Sequence, residues 1–165
     1  MAAQVLVAYA TKLGSTAEIA EAIAITLQVA GLEATAVPVR DVHDIGAFNA
    51  VILGSALYAA HWQRDANRFV TSHRAALRER PLWVFSSGPL DRRLAAADLP
   101  MTPNVSEILA DLAPRGHRTF GGRLEAHAQG IDPQVLATHP IGDFRDWGAI
   151  TGWAASIALE LLEEG

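Results

Sequence analysis

The sequence predicts an α/β fold, a doubly wound parallel sheet of five strands with helices on both faces, formed by a single domain over residues 1–165. Three observations predict it. Short apolar runs bounded by turn residues are typical of strands that are buried on both faces. Segments with helical periodicity separate these runs, and the regular alternation of the two favours a parallel sheet with crossover helices.

Five segments are predicted as strands. Gln4–Ala10, residues 50–55 and residues 82–86 are almost continuously apolar, which predicts central positions in the sheet. Residues 33–39 alternate and contain a proline, whose missing N–H is poorly tolerated in a central strand. Residues 117–122 are broken by glycine. With these last two segments at the edges, the strand order 2-1-3-4-5 fits.

The first helix is predicted after the first strand. Ser15 and Glu18 have the spacing of a capping box, in which each side chain accepts a hydrogen bond from a main-chain N–H at the start of the helix. Apolar residues then recur every three to four positions, and Gly31 is the expected stop.

Three further helices follow from the same periodicity. An apolar stripe begins at Trp62 and reaches Leu77, and the helix is expected to end before Pro81. Residues 103–112 can form a third helix. An apolar stripe over residues 147–161 predicts a terminal helix that docks on the sheet.

Composition excludes several classes of protein. Half of the residues are apolar and 19% are charged, which is typical of a globular chain. There is no cysteine, so disulfides, thiolate metal sites and thiol nucleophiles are excluded. His117, His127 and His139 lack the compact spacing of a zinc site, and we predict no metal. Redox chemistry would therefore need a bound organic cofactor.

The charge distribution bears on partners and location. The net charge is -5, which argues against non-specific nucleic-acid binding. Residues 61–118 carry nine basic and six acidic side chains between two acidic flanks, a pattern of solvated helix faces or of an anion-facing patch. The start of the chain has no secretory signal pattern, so the expected compartment is the cytoplasm. The longest uncharged stretch, residues 147–159, is shorter than the roughly 20 residues of a membrane crossing, and no transmembrane segment is expected.

The loop after the first strand can bind an anion. In a doubly wound sheet, ligands bind beyond the carboxyl ends of the strands at the switch point. Residues 11–16 join the first strand directly to a helix, where Gly14 permits close approach, main-chain N–H groups point outward and three hydroxyls can donate. The alternative is a polar turn that only caps its helix. The P-loop, the dinucleotide glycine fingerprint and the serine-hydrolase elbow are all absent from the sequence.

Two further loops can hold a flat conjugated ring. Residues 55–62 place small residues beside Tyr58, His61 and Trp62. Trp62 is assigned first to core packing, Tyr58 is expected to contact a ligand, and His61 is either a proton donor or simply solvated. Residues 86–93 offer backbone donors and hydroxyls, and Arg92 there is either an exposed charge or a substrate contact.

The sequence resembles the flavodoxin-like flavoproteins over essentially its whole length. The matching segments are VAYATKLGSTAEIA (7–20), VILGSALY (51–58) and VFSSGPL (84–90). Within that group it is most similar to the branch of the menaquinone-dependent protoporphyrinogen dehydrogenases, through LYAAHW (57–62), GGRL (121–124) and DFRDW (143–147).

The resemblance implies FMN as cofactor, with its phosphate on residues 11–16 and its isoalloxazine ring between the second and third loops. The implied cofactor-binding residues are Thr11, Lys12, Leu13, Gly14, Ser15, Thr16, Ala56, Leu57, Tyr58, Ser87, Gly88, Pro89 and Leu90. Substrate contacts are expected at His61 and Arg92, and no catalytic base is assigned. Related quinone reductases often build their sites at a dimer interface, so the resemblance leaves a homodimer open.

Two departures from the family pattern affect the expected function. The third loop has basic residues where one-electron flavodoxins are acidic, and positive charge near a flavin raises its potential. Residues 125–142 contain no Lys or Arg, whereas the protoporphyrinogen dehydrogenases carry a longer basic insertion there.

The leading hypothesis is therefore an FMN-dependent oxidoreductase or electron-transfer protein that passes electrons from a reduced donor to an organic acceptor of the quinone or porphyrinogen type. The alternatives are a one-electron flavodoxin carrier and an interaction module that has lost FMN.

Overall fold

A computed structural model of the chain describes residues 2–88, 99–124, 133–134 and 141–165. Its central sheet is parallel, except for one short antiparallel strand at the end of a central strand. The strands are β1 (Gln4–Ala10), β2 (Glu33–Pro38), β3 (Ala50–Tyr58), β4 (His61–Trp62), β5 (Leu82–Gly88), β6 (Gly116–Gly121), β7 (Arg123–Leu124) and β8 (Gly142–Asp143). The helices are α1 (Ser15–Val29), α2 (Arg64–Arg78), α3 (Pro103–Ile108) and α4 (Trp147–Glu164).

The strand order confirms the predicted topology. The sheet runs β2-β1-β3-β5-β6, so its five long strands, counted along the chain, lie in the order 2-1-3-4-5. β2 and β6 are at the edges, as the proline and glycine in them predict. β4 pairs with the end of β3, and β7 pairs with β8 in a separate antiparallel ribbon.

Helices cover both faces of the sheet, and β1 shows how the sequence divides between them. Val5 and Val7 pack with α1 and α4 on one face, whereas Leu6 and Ala8 pack with α2 and α3 on the other. All four side chains are fully buried, because successive residues of a strand point to opposite faces and both faces are covered. This double burial explains the continuous apolar run in the sequence.

Several predicted boundaries were wrong. β3 continues three residues past 55, to Tyr58, and α2 begins at Arg64, two residues after Trp62. The third helix ends at Ile108, not at residue 112. The predicted stop of α1 is confirmed, because Gly31 follows it with φ +102°.

Within the sheet, Gly54 of β3 lies against the ring of its register partner, Phe85 of β5. A Cβ atom on Gly54 would lie 2.0 Å from Phe85 Cζ. The Phe85 ring is fully buried and packs against the rings of Phe120 and Trp153. The absence of a side chain at Gly54 therefore makes room for this aromatic cluster.

None of the helices that the structure describes combines the length and apolar character needed to cross a membrane.

Candidate functional site

A cleft opens at the carboxyl ends of β1, β3 and β5, at the predicted switch point. It encloses about 380 Å³, a volume that includes the open solvent at its mouth. It is lined by Thr11, Leu13, Ser15, Thr16, Ala56, Leu57, Tyr58, Ser87, Gly88, Gly122, Arg123 and Leu124. The structure thus brings together nine of the cofactor-binding residues that the sequence predicts.

The first loop presents main-chain donors, although its capping is not the predicted one. Gly14, with φ +92°, is the N-cap of α1, and no side chain caps the helix, so the predicted box of Ser15 and Glu18 was wrong. The left-handed turn at Gly14 makes Ser15 the first helical residue. The first helical hydrogen bond is donated by the Glu18 N–H to the Gly14 carbonyl, so the N–H groups of residues 15–17 precede the bonded part of the helix.

The three hydroxyls of this loop have different partners. Thr11 Oγ1 accepts a hydrogen bond from the Gly14 N–H at 3.0 Å. Thr16 is fully buried, and its Oγ1 lies 2.7 Å from Ser87 Oγ, so this hydrogen bond connects the first loop to β5. Both hydroxyls therefore fix the loop. Ser15, which is half-buried and lines the cleft, is the hydroxyl placed to donate to a ligand.

The second loop is a β-hairpin. Tyr58 pairs with His61, and the two residues between them, Ala59 and Ala60, have φ values of +50° and +65°. Two positive φ values are what a type I′ turn requires, and they strain residues other than glycine. Tyr58 therefore lies at the end of a strand, and the expectation that it lies in the middle of a loop was wrong.

Trp62 belongs to the core, which is the assignment that its place in the apolar stripe favours. It is 4% exposed, and its Nε1–H donates to Ser86 Oγ at 2.8 Å. His61 is exposed, and its Nδ1 lies 2.7 Å from the Ala59 carbonyl oxygen. His61 is not among the residues that line the cleft. A role of this histidine in substrate contact stays a prediction.

The third loop is described only in part. β5 continues to Gly88. Ser86 Oγ accepts a hydrogen bond from Trp62 Nε1–H, and Ser87 Oγ is hydrogen-bonded to Thr16 Oγ1, so both hydroxyls already have a partner within the protein. The backbone of Ser87 and Gly88 still forms one wall. Pro89, Leu90 and Arg92 lie outside the residues that the structure describes.

Lys12 reaches across the mouth of the cleft. Its Nζ lies 5.0 Å from the centroid of the Tyr58 ring, within the range of a cation–π contact. Burial raises the pKa of the Tyr58 hydroxyl above its usual value, because it disfavours the charged phenolate. The aromatic end of the cleft thus holds a neutral phenol with an ammonium group over its ring.

A fourth wall, Gly122, Arg123 and Leu124, was not predicted as part of the site. The Gly122 N–H donates to the Gly88 carbonyl, and a Cβ atom on Gly122 would lie 2.8 Å from the Gly88 carbonyl carbon. Only glycine permits this approach. The adjacent glycines 121 and 122 were the one signal in the sequence that could have indicated it.

Four charged side chains lie beside this wall. Arg145 donates to Asp143 through Nε at 2.9 Å and through Nη2 at 2.7 Å. Glu18 lies 3.2 Å from Arg123 Nη1 through one oxygen and 3.4 Å from Arg145 Nη1 through the other. The hydrogen bond from Arg145 lowers the pKa of the Asp143 carboxyl below its usual value. The group is therefore two carboxylates and two guanidinium ions with no net charge.

The cleft can hold a ligand with an anionic end and a flat ring. The N–H groups of residues 15–17 and the hydroxyl of Ser15 are placed for the anion. Leu57, Tyr58 and the backbone of Gly88 are placed for the ring. Among the described residues, no group of three or more metal-ligating side chains is found.

Comparison with known proteins gives a family and a fold. The model of the flavodoxin domain family matches residues 6–130. Among the curated proteins, none matches the chain. Oxidised flavodoxin 1 from Bacillus cereus is similar in structure with a TM-score of 0.60 and 13% identity, over 97% of each chain. A flavodoxin from the domain Archaea gives 0.61 and 12%, over 96% of this chain and 99% of the other.

Larger proteins contain the same fold. The Flv1 flavodiiron core from Synechocystis sp. PCC6803 matches with a TM-score of 0.67 and 16% identity, over 99% of this chain and 37% of the other. The chain thus spans about a third of the length of that protein, whereas it spans nearly the whole length of each of the two flavodoxins.

Proposed function

This chain belongs to the flavodoxin domain family, and on that premise we propose that it is an FMN-dependent electron-transfer protein or oxidoreductase that passes electrons from a reduced donor to an organic acceptor. FMN is the cofactor that membership of this family implies. The single observation that supports the proposal best is the cleft, because its walls are the first and second loops that the resemblance assigns to the phosphate and the ring.

The residues of the cleft fit FMN. The N–H groups of residues 15–17 and the Ser15 hydroxyl would hold the phosphate, because a helix N-terminus presents unbonded donors and a favourable dipole. Leu57 and Tyr58 would contact the ring and exclude water from it. When bound, FMN supplies the electron-accepting ring system, and the protein orients that ring and sets its potential.

For the acceptor we propose a quinone or a porphyrinogen. The proposal is supported by the sequence segments shared with the protoporphyrinogen dehydrogenase branch, two of which, GGRL and DFRDW, contribute to the fourth wall and its charged group. It is also supported by the Lys12 ammonium beside the Tyr58 ring, because positive charge near the flavin ring favours a reduced flavin anion and raises the potential.

A one-electron carrier is the second candidate. It is supported by the match to flavodoxins over nearly their whole length. Stepwise reductive titration distinguishes the two candidates: a two-electron reductase is expected to be reduced in one spectral transition, and a carrier in two separate ones. Rapid reoxidation by a soluble naphthoquinone would favour the reductase further.

FMN binding itself is tested on the purified protein. The bound chromophore is extracted and identified by mass, and the emptied protein is titrated with FMN while flavin fluorescence is followed. We expect Ser15→Ala to weaken FMN binding by about 1.5–3 kcal/mol, the worth of a hydrogen bond to a charged group.

Ser156→Ala is the matched control, because its exposed hydroxyl donates to the Trp153 carbonyl on α4 and does not line the cleft. A colourless protein that also fails to bind added FMN would contradict the proposal. The remaining hypothesis would then be an interaction module that has lost FMN.

A further inference from the structure

The fourth wall of the cleft carries a charge whose role the proposed function does not explain. Among the described residues that line the cleft, Arg123 is the only one with a charged side chain. It belongs neither to the loops assigned to the phosphate nor to those assigned to the ring. The main-chain contacts of β7 explain how Arg123 comes to line the cleft.

Two backbone contacts place Arg123 at the cleft. The Gly122 N–H donates to the Gly88 carbonyl, which holds the start of β7 against the end of β5. The Phe144 N–H donates to the Gly122 carbonyl at 2.9 Å, and Arg123 pairs with Asp143 in the β7–β8 ribbon. The position of Arg123 is thus fixed on both sides by main-chain hydrogen bonds.

The Arg123 guanidinium lies at the phosphate end of the cleft. Its Nη1 is 3.2 Å from Glu18 Oε1, and Glu18 is in the first turn of α1, three residues after Ser15. The same turn carries the N–H groups that would hold the phosphate. The ion pair with Glu18 therefore keeps the guanidinium beside that cradle.

The two arginines that share Glu18 differ in burial. The Arg145 side chain is 4% exposed and donates two hydrogen bonds to Asp143, and its guanidinium lies 4.7 Å from the centroid of the Trp147 ring. The Arg123 side chain is 30% exposed. Because Arg123 also lines the cleft, a ligand there can contact it while Arg145 continues to neutralise Glu18.

We propose that Arg123 binds the FMN phosphate directly, and that Arg145 is a positioning residue that retains Glu18 when Arg123 does so. This inference rests on the proposed function. The four side chains have no net positive charge to attract a phosphate dianion. A phosphate beside Glu18 therefore needs a guanidinium in direct contact with it. A guanidinium can meet both a carboxylate and a phosphate, because its five N–H groups point in several directions.

The test compares FMN with riboflavin, which has the same ring and no phosphate. Their dissociation constants are measured by flavin fluorescence on the wild type and on variants. We expect Arg123→Gln to weaken FMN binding by about tenfold or more, the worth of a charge-assisted hydrogen bond. Riboflavin binding is expected to change by less than about twofold, since neutral ligands gain little from the charge.

Two variants accompany it. Arg123→Lys keeps the charge opposite Glu18, and it is the variant of choice if Arg123→Gln does not fold. An ammonium cannot form paired hydrogen bonds with phosphate. We therefore expect Arg123→Lys to lower the preference for FMN over riboflavin by about three- to tenfold. Arg115→Gln is the matched control, because Arg115 is a half-exposed arginine paired with Glu160 and Glu164 and does not line the cleft.

The outcomes separate this inference from the proposed function. A wild type that binds neither flavin contradicts the proposed function. A wild type that binds FMN, with an FMN preference that Arg123→Gln and Arg123→Lys both leave unchanged, overturns the inference alone. An equal loss of FMN and riboflavin in Arg123→Gln also overturns it, because it shows that Arg123 only holds the wall in place.

Discussion

Replacing Gly54 with alanine tests a close contact between two central strands of the sheet. The new Cβ would lie 2.0 Å from Phe85 Cζ, so the ring has to retreat by roughly 1.4 Å to reach ordinary contact. Phe85 is held by strand pairing on both sides and packs against Phe120 and Trp153. The strain of such overpacking costs about 1–3 kcal/mol, and the reduced entropy of the unfolded chain offsets about 0.4–1 kcal/mol of it.

We therefore expect Gly54→Ala to lower the free energy of unfolding by about 1–2 kcal/mol. Urea unfolding followed by tryptophan fluorescence and by far-UV circular dichroism measures it. Gly152→Ala is the control, because a Cβ there has no neighbour within 4 Å. Its position inside α4 means that alanine is expected to stabilise the protein by up to about 1 kcal/mol.

A double-mutant cycle identifies the cause. Phe85→Leu removes the atoms that meet the new Cβ, so the combined cost of the two changes is expected to be at least about 1 kcal/mol smaller than the sum of the separate costs. Additive costs, or a Gly54→Ala protein within about 0.5 kcal/mol of the wild type, would refute the steric explanation.

Three further predictions concern the surroundings of the cleft. Replacing residues 59–60 with Asn-Gly is expected to raise the free energy of unfolding by about 1 kcal/mol in urea titrations, because both alanines have positive φ. Thr16→Val is expected to lower it by about 1–3 kcal/mol in the same assay, because the Ser87 hydroxyl loses its buried partner. Because the pKa of Asp143 is lowered in the folded state, its ion pair stabilises the fold above the unfolded pKa of about 3.9, and that stabilisation is lost as the pH falls through the folded value. The stability curves of Asp143→Asn and the wild type are thus expected to converge in acid, and a constant difference across pH would contradict this.

The sheet could be predicted because its signal is strong and local. The side chains on both faces of β1, such as Val5 and Leu6, are fully buried, so the strand appears in the sequence as a continuous apolar run. Such a short run between turn residues is typical of a central strand in a parallel sheet. The first loop could be proposed as an anion site for a similar reason. A loop rich in hydroxyls between a buried strand and a helix has few uses other than capping and anion binding.

The rest of the site depends on contacts that the sequence does not display. The hairpin after Tyr58 turns on two alanines, whereas a type I′ turn is usually indicated by Asn-Gly. Ser15 and Glu18 have the spacing of a capping box, yet Glu18 is drawn instead to Arg123 and Arg145, which are more than 100 residues away in the chain. Ser15 is also the first helical residue after Gly14, so its side chain does not occupy the N-cap position that a capping box requires.

The hairpin formed by β3 and β4 couples ligand binding to the cooperative unfolding of the protein. Its first strand ends in Tyr58 at the cleft, and its second strand ends in Trp62, which is embedded among the side chains beneath α2 and bonded to Ser86. The wall proposed to receive the ring is thus continuous with the interior, and we expect the two to unfold together. Calorimetry would then show a single endotherm in which release of the bound molecule and collapse of the tertiary structure coincide.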